Sequence, residues 1–323
     1  MTLLLITIFL SAIYGTAFLI TKYRLTQLQL NYSGSFFSIN IKVSVYLFHP
    51  IQYSIILSTK DRYSCFPPLF EKLLVNLPNQ TELIIADDAS QVPEKVEILY
   101  QIRRKSEECI QLRHSNQFIN SSMRPYCYIT VMIHGTNYGS FHTKLDGFLQ
   151  AHGEFIMSID DDDSFDDDYY KEMVQTMEYH RNVEKDIDKY DFFITKNNFY
   201  TGYLGGRKLN TIANFVQSFH NHVAYAFRKS LLLNVEYPSH NVTILRDDAP
   251  LMIPLYIQSS IDRILFFNNT NQYRLNKYCK NVTHQMTVQK RQKEFTRNGL
   301  RFLLDLINKT GQKQYERNII RAY

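Results

Sequence analysis

Gly153-Glu154-Phe155-Ile156-Met157-Ser158-Ile159-Asp160-Asp161-Asp162-Asp163 is an apolar run of strand length that stops at four carboxylates. Phe155, Ile156, Met157 and Ile159 are bulky on both alternating faces, as in strands buried on both sides within an α/β sheet. Ligands of such sheets gather just beyond the carboxyl ends of the strands, where these acids would lie. Four adjacent carboxylates repel one another unless a cation neutralises them. An all-oxygen set suits a hard divalent ion, so Mg²⁺ or Mn²⁺ is expected before Zn²⁺. In extended backbone the side chains alternate, which places Asp160 and Asp162 on one face and Asp161 and Asp163 on the other.

The next acids, Asp166-Asp167-Asp168, read differently. They precede a helical stretch, Tyr169 to His180, and acids in a first turn complement the helix dipole. A calcium loop is excluded, because one counted from Asp160 or Asp161 has no glycine at its sixth position.

Working outward, Tyr53 to Ser58 and Thr81 to Ala86 are compact β-branched or apolar runs and read as strands. Tyr126 to Ile133 reads as a third strand and Tyr190 to Thr195 as a later one. His220 to Phe227 alternates as a strand would, and Arg263 to Phe267 is a late strand. Helical spacing covers Leu69 to Leu77, Val92 to Arg104 and Phe141 to Gln150. A short helix opens at Arg246-Asp247-Asp248 and runs to Tyr256. An amphipathic closing helix spans Thr287 to Asn308, with Gly299 on its apolar face. Alternating strands and helices imply a mostly parallel sheet with helices on both faces. The polar loop from Asn197 to Asn210 is long for a compact domain and reads as a lid.

The 323 residues, 45% of them hydrophobic, suffice for one large domain with appendages. A net charge of +5 without any dense Lys/Arg block excludes nucleic acid as the expected partner. Cys65, Cys109, Cys127 and Cys279 are too widely spaced for structural zinc; they allow one or two disulfides, which the sequence cannot pair. Leu3 to Ile20 is uncharged and apolar, followed by Lys22 and Arg24, so residues 1–24 read as a signal-anchor, with a cleaved signal peptide as the rival. Residues 25–50 read as a stem. The positive-inside rule would put the following domain in the cytosol. Seven N-x-S/T sequons, at Asn31, Asn79, Asn120, Asn241, Asn268, Asn281 and Asn308, argue instead for a lumenal domain.

The order of motifs resembles that of family 2 glycosyltransferases of the GT-A fold. The matching pieces are Ser54 to Arg62, the strand Leu83 to Ala86 ending in Asp87-Asp88-Ala89-Ser90, Asn137-Tyr138-Gly139, Ala151-His152-Gly153-Glu154-Phe155-Ile156, the four aspartates, and Asp247-Asp248. The resemblance covers about residues 51–290, with residues 291–323 left as a closing helix and tail. It implies a Rossmann-like α/β domain with a mixed, mostly parallel sheet, and an inverting, hexosyl-type transfer from a nucleotide sugar, a UDP-sugar first, to a glycan or other hydroxyl acceptor.

By that resemblance Ser58 and Asp61 line the base pocket, and Asp88 accepts from the uracil imide. Lys144 lies near the nucleotide. Asp160 takes the ribose, with Asp161 beside it because four consecutive acids leave the register open by one. Asp162 binds Mn²⁺ or Mg²⁺, Asp163 is an alternative ligand, and His284 approaches the metal or diphosphate. Asp248 is the base that removes the acceptor proton. His220 and His222 lie where the acceptor pocket is shaped. Lys60, Leu145 and the lack of tryptophan depart from the family pattern and bear on donor and acceptor identity. Two other readings stand beside this one. The first is a metal-dependent phosphohydrolase built on Asp160-x-Asp162-x-Ser164. The second is a sugar-nucleotide-binding homologue without turnover.

Overall fold

The computed structural model describes residues 50–115, 117, 119–195, 225–242, 248–275 and 301–309. The strands are Tyr53–Thr59 (β1), Thr81–Asp87 (β2), Ile129–Ile133 (β3), Phe155–Asp160 (β4), Asp163–Phe165 (β5), Phe192–Thr195 (β6), Tyr225–Arg228 (β7), Ile264–Phe267 (β8) and Tyr273–Leu275 (β9). The helices are Phe66–Val75 (α1), Pro93–His114 (α2), Ser140–Gln150 (α3), Tyr169–Asn182 (α4), Asp248–Gln258 (α5) and residues 301–309 (α6).

Seven strands form one sheet in the order β3-β2-β1-β4-β7-β6-β8. The block β3-β2-β1-β4 is parallel. β7 is antiparallel to both β4 and β6, and β8 runs parallel to β6. The sheet is therefore mixed and mostly parallel, as expected. All seven residues of β1 are buried, and its middle, Ile55-Ile56-Leu57, is apolar on both faces as burial on both sides requires. Tyr53, Ile55 and Leu57 join residues of α1, α2 and α4 in one apolar cluster. Ile56 belongs to a second cluster with Phe141, Leu145 and Phe148 of α3 and Leu251, Leu255 and Tyr256 of α5. Helices thus cover both faces. On the second face the contact is close, because a Cβ added at Gly147 would fall 2.5 Å from Cγ2 of Ile56.

Several boundaries differ from the sequence reading for identifiable reasons. α2 runs ten residues past Arg104, to His114. Its inward residues, Lys95, Leu99, Ile102, Ser106 and Cys109, keep helical spacing, but two of the five are polar. A disulfide joins Cys109 to Cys127, tying the end of this helix to the 3₁₀ turn Arg124–Tyr128. That turn, with Pro125 at its start, occupies positions read as strand, so β3 begins only at Ile129. Cys65 is also disulfide-bonded. β7 begins at Tyr225, and residues 220–224 lie outside the described residues. So do residues 1–49, the loop 197–210, the segment 276–300 and the tail from 310 on. The expected anchor, stem and lid fall there, as does the start of the closing helix. Among the described residues, no helix is long and apolar enough to cross a membrane.

Candidate active site

The parallel register sets the site. Thr59 at the end of β1 stands level with Asp87 at the end of β2, and Ser58 stands level with Asp160 at the end of β4. Three strand tips therefore open at one edge of the sheet. The pairing continues for one residue beyond the strands, with the Asp88 amide donating to Thr59 O and the Asp161 amide to Ser58 O. Two residues at these tips, Asp61 (φ 53°) and Ala89 (φ 55°), hold left-handed backbone without being glycine. Such conformations persist only where the surroundings enforce them. Here the Asp61 amide donates to Ser90 Oγ, and Asp61 Oδ1 accepts from the Gln91 amide at 2.5 Å. Asp61 thus laces the β1 tip to the β2 tip.

Asp88 is buried, and its carboxylate accepts from the Tyr138 amide at 2.7 Å and the Gly139 amide at 3.1 Å. Gly139, at φ 88°, adopts the backbone only glycine takes without strain, and α3 begins at the next residue. Lys60 Nζ lies 3.6 Å from the same carboxylate. Asp87 is wholly buried and accepts from both the amide and the hydroxyl of Ser90; burial pushes its carboxyl above the usual range.

Asp160 and Asp162 come together as the alternation predicts, but Asp163 joins them instead of Asp161. β4 ends at Asp160, and Asp161 and Asp162 form a turn into β5, which pairs with β9. Carboxylate oxygens of Asp160, Asp162 and Asp163 come within 4.8 Å of one another, the one such group of metal-ligating side chains among the described residues. Asp161 leaves the group. Its side chain is 1% exposed and takes Arg62 Nη1 at 2.6 Å, Thr59 Oγ1 at 2.5 Å, Lys95 Nζ at 3.2 Å and the Lys60 amide at 3.2 Å. An extended-strand rule cannot hold across a turn, and buried donors from two other elements draw this one carboxylate inward.

Cations surround the remaining acids. Lys144 Nζ of α3, itself buried, lies 2.9 Å from Asp160 Oδ1, and Ser58 Oγ donates to the same oxygen at 2.5 Å. Arg62 Nη1 also sits 2.9 Å from Asp162 Oδ1. The Tyr273 hydroxyl donates to Asp163 Oδ2 at 2.5 Å, from β9. Burial, with Asp160 and Asp161 nearby, pushes the Asp162 carboxyl above the usual range against the pull of Arg62. Among the described residues, the side-chain cations Lys95, Arg62 and Lys144 pair with Asp160, Asp161 and Asp162. Three converging carboxylate oxygens fit a hard divalent cation.

Ser58, Asp61, Asp88, Lys144, Asp160, Asp162 and Asp163 therefore collect at one sheet edge, while Asp161 lies beneath it. Asp248 opens α5, but its side chain, like Asp247, His220, His222 and His284, lies outside the described residues. Asp166, Asp167 and Asp168 are structural: Asp168 stands at the N-cap of α4, Asp166 accepts from the Gln272 amide, and Asp167 pairs with Lys72. Sequence reasoning missed Thr59, Lys95 and Tyr273. No signal marked Lys95 or Tyr273, each distant in sequence from the acid it touches.

No curated protein matches the chain. Among solved structures, S. aureus TarS residues 1–349 in complex with UDP-GlcNAc is similar at a TM-score of 0.56 and 15% identity, over 84% of this chain and 72% of that one. A longer S. aureus TarS structure aligns over 69% of this chain but 36% of its own length, at 17% identity and a TM-score of 0.47. Glucosyl-3-phosphoglycerate synthase from Mycobacterium tuberculosis, in complex with Mn²⁺, UDP and glucosyl-3-phosphoglycerate, aligns over 87% of this chain and 88% of its own at 11% identity and a TM-score of 0.45. The TarS 1–349 likeness shows the GT-A fold. The sequence model of Glycosyl transferase family 2 matches residues 54–233, more than half of the chain, and the protein belongs to that family.

Proposed function

We propose that this glycosyltransferase moves a hexosyl group from a nucleotide sugar, a UDP-sugar first, to a hydroxyl acceptor with inversion at the anomeric carbon. The observation that carries the reading is the convergence of Asp160, Asp162 and Asp163 at the tip of β4, level with the Asp88 loop at the tip of β2. Mn²⁺ or Mg²⁺ held by Asp162 and Asp163, with His284 as a further ligand, would supply Lewis-acid stabilisation to the departing diphosphate. Ser58 and Asp61 shape the base pocket, and Asp88 faces the base while bracing the Tyr138-Gly139 loop before α3. Asp160, oriented by Lys144 and Ser58, serves the ribose. Asp248, at the start of α5, takes the acceptor proton; a single carboxylate on that side implies direct displacement. The complex of TarS 1–349 with UDP-GlcNAc supports taking a uridine nucleotide as the first donor class to test.

The test is a donor screen that reads released UDP with and without Mn²⁺. One UDP-sugar should be consumed only when Mn²⁺ or Mg²⁺ is present, and Asp162→Ala should abolish the metal-dependent part of UDP binding. Hydrolysis of a generic aryl phosphate with no sugar nucleotide consumed would install the phosphohydrolase reading. UDP binding with Mn²⁺ but no consumption of any donor would install the inactive homologue.

We further infer a lumenal domain behind an N-terminal membrane anchor. Two observations support it. Cys109–Cys127 and the bonded Cys65 belong to an oxidising compartment. The sequon asparagines Asn79, Asn120, Asn241, Asn268 and Asn308 are all exposed. Full-length protein from its own cells should shift in mobility on endoglycosidase treatment, and absence of any shift would remove the lumenal placement.

A further inference from the structure

Lys95 is a lysine with no exposed surface, on a helix that adds no residue to the acid cluster. Burial pulls its pKa down against the opposing pull of Asp161 and Asp87. Fully buried lysines are rare and are kept only where they are paired. The Lys95 ammonium donates to Thr59 Oγ1, lies 3.2 Å from Asp161 Oδ2, and packs 5.3 Å from the centre of the Phe66 ring. Thr59 Oγ1 in turn donates to the same Asp161 oxygen. The other Asp161 oxygen takes Arg62 Nη1, which also reaches Asp162. A continuous chain of contacts thus runs from α2 through Lys95, Thr59 and Asp161 to Arg62 and Asp162.

Asp161 is flanked in sequence by Asp160 and Asp162, so the direction of its side chain fixes the course of the turn between β4 and β5. With Asp161 turned inward, its neighbours can face one another; without that anchor four adjacent carboxylates would splay apart to reduce repulsion. We propose that Lys95 and Thr59 are positioning residues for the acid cluster: through Asp161 they hold the turn after β4 in the conformation in which Asp160, Asp162 and Asp163 converge. The inference rests on the metal-assisted reading above and assigns a role within it to residues that touch neither metal nor substrate.

The experiment measures Mn²⁺ affinity of the full chain directly, by electron paramagnetic resonance of the free ion, with a thermal melt as the check on folding. Lys95→Met and Thr59→Val should each weaken Mn²⁺ about 10–100-fold, the usual cost of removing the support behind metal ligands. Thr59→Ser keeps the hydroxyl and should stay within about threefold of wild type, whereas a role in packing alone would not separate Ser from Val in this way. If Lys95→Met does not fold, Thr59→Val carries the test, because it exchanges a hydroxyl for a methyl of the same shape. A folded Thr59→Val or Lys95→Met that binds Mn²⁺ like wild type overturns the positioning role and leaves the metal reading standing. Wild-type protein that binds no Mn²⁺ overturns both.

Discussion

Asp88→Asn asks whether the carboxylate at the tip of β2 braces the Tyr138-Gly139 loop, reads the base, or does both. Oδ1 of Asp88 accepts from the amides of Tyr138 and Gly139 at 2.7 and 3.2 Å, and Oδ2 accepts from Gly139 at 3.1 Å. Asparagine can place its carbonyl oxygen at the Oδ1 position, but its amide nitrogen then stands at Oδ2, facing both the Gly139 N–H and the Lys60 ammonium, 3.6 Å away. Hydrogen bonds to a charged acceptor contribute about 1 kcal/mol more than neutral ones, so two weakened bonds cost about 2 kcal/mol. The Lys60 pair is a third exposed on the lysine side and adds little. In a domain of this size that loss lowers Tm by about 4–8 °C.

The nucleotide arm is separate. If Asp88 also accepts from the uracil imide, replacing a charged acceptor by a neutral one costs about 1.4 kcal/mol, or about tenfold in Kd for UDP. Calorimetric melting and UDP titration of the same variant distinguish the two roles. A melt within 1 °C of wild type, read against the shift of about 4–8 °C above, would refute the bracing argument. A lowered Tm with unchanged Kd would mean that the carboxylate serves the loop alone, and the base assignment would fall.

Three further predictions follow from other parts of the fold. Asp248→Asn should retain the wild-type melt and the Kd for UDP while turnover is lost; normal turnover in the coupled UDP assay removes the base assignment. Gly153→Ala would put a Cβ 2.5 Å from the Tyr53 carbonyl carbon and 2.7 Å from the Ser54 nitrogen, both main-chain atoms of the central strand. Backbone cannot yield as a side-chain tip does, so the cost is about 3 kcal/mol and about 10 °C in Tm; a near-wild-type melt would mean the strand shifts freely. Glu82 gives a pH dependence: burial raises its carboxyl, but hydrogen bonds from the His152 ring, Ser54 and the His152 amide outweigh burial and hold it below its ordinary 4.5. A depressed folded pKa gives stability that is present above the unfolded value and lost as pH falls through the folded one. Glu82→Gln should therefore flatten the fall in Tm below about pH 4.5, and an unchanged acid limb would count against it.

How far these features could be read from the sequence depended on how local their causes are. β1, β2 and β4 were legible because burial on both faces leaves a short apolar run in each, Ile55-Ile56-Leu57, Leu83-Ile84-Ile85-Ala86 and Phe155-Ile156-Met157. The mixed character of the sheet followed from the family resemblance, whereas the strand pattern pointed only to a mostly parallel one. The β5–β9 pair was invisible, since three-residue strands carry no measurable period and their partners are about a hundred residues apart. The last ten residues of α2 were hidden because their inward positions are Ser106 and Cys109 rather than large apolar residues, although each inward residue stands at a helical interval from the last.

The acid run shows the same limit at the scale of one residue. Composition and position were enough to pick out Asp160 to Asp163 as the candidate cation site, and alternation rightly joined Asp160 to Asp162 but placed Asp163 with Asp161. Which carboxylate turns away is decided by groups that lie 66, 99 and 102 residues upstream, namely Lys95, Arg62 and Thr59. None of them has a local pattern that betrays it, and each looks like a routine polar residue in its own segment. The selection is nonetheless strict in energy. Asp161 sits at 1% exposure, and a carboxylate buried there without its partners would lose several kcal/mol, the penalty for an uncompensated buried charge. The inward residue must therefore be the one that meets Lys95 and Thr59, and its two neighbours are left to face outward. An acid motif in such an enzyme is thus defined less by the spacing of its aspartates than by where the buried cation beneath them stands.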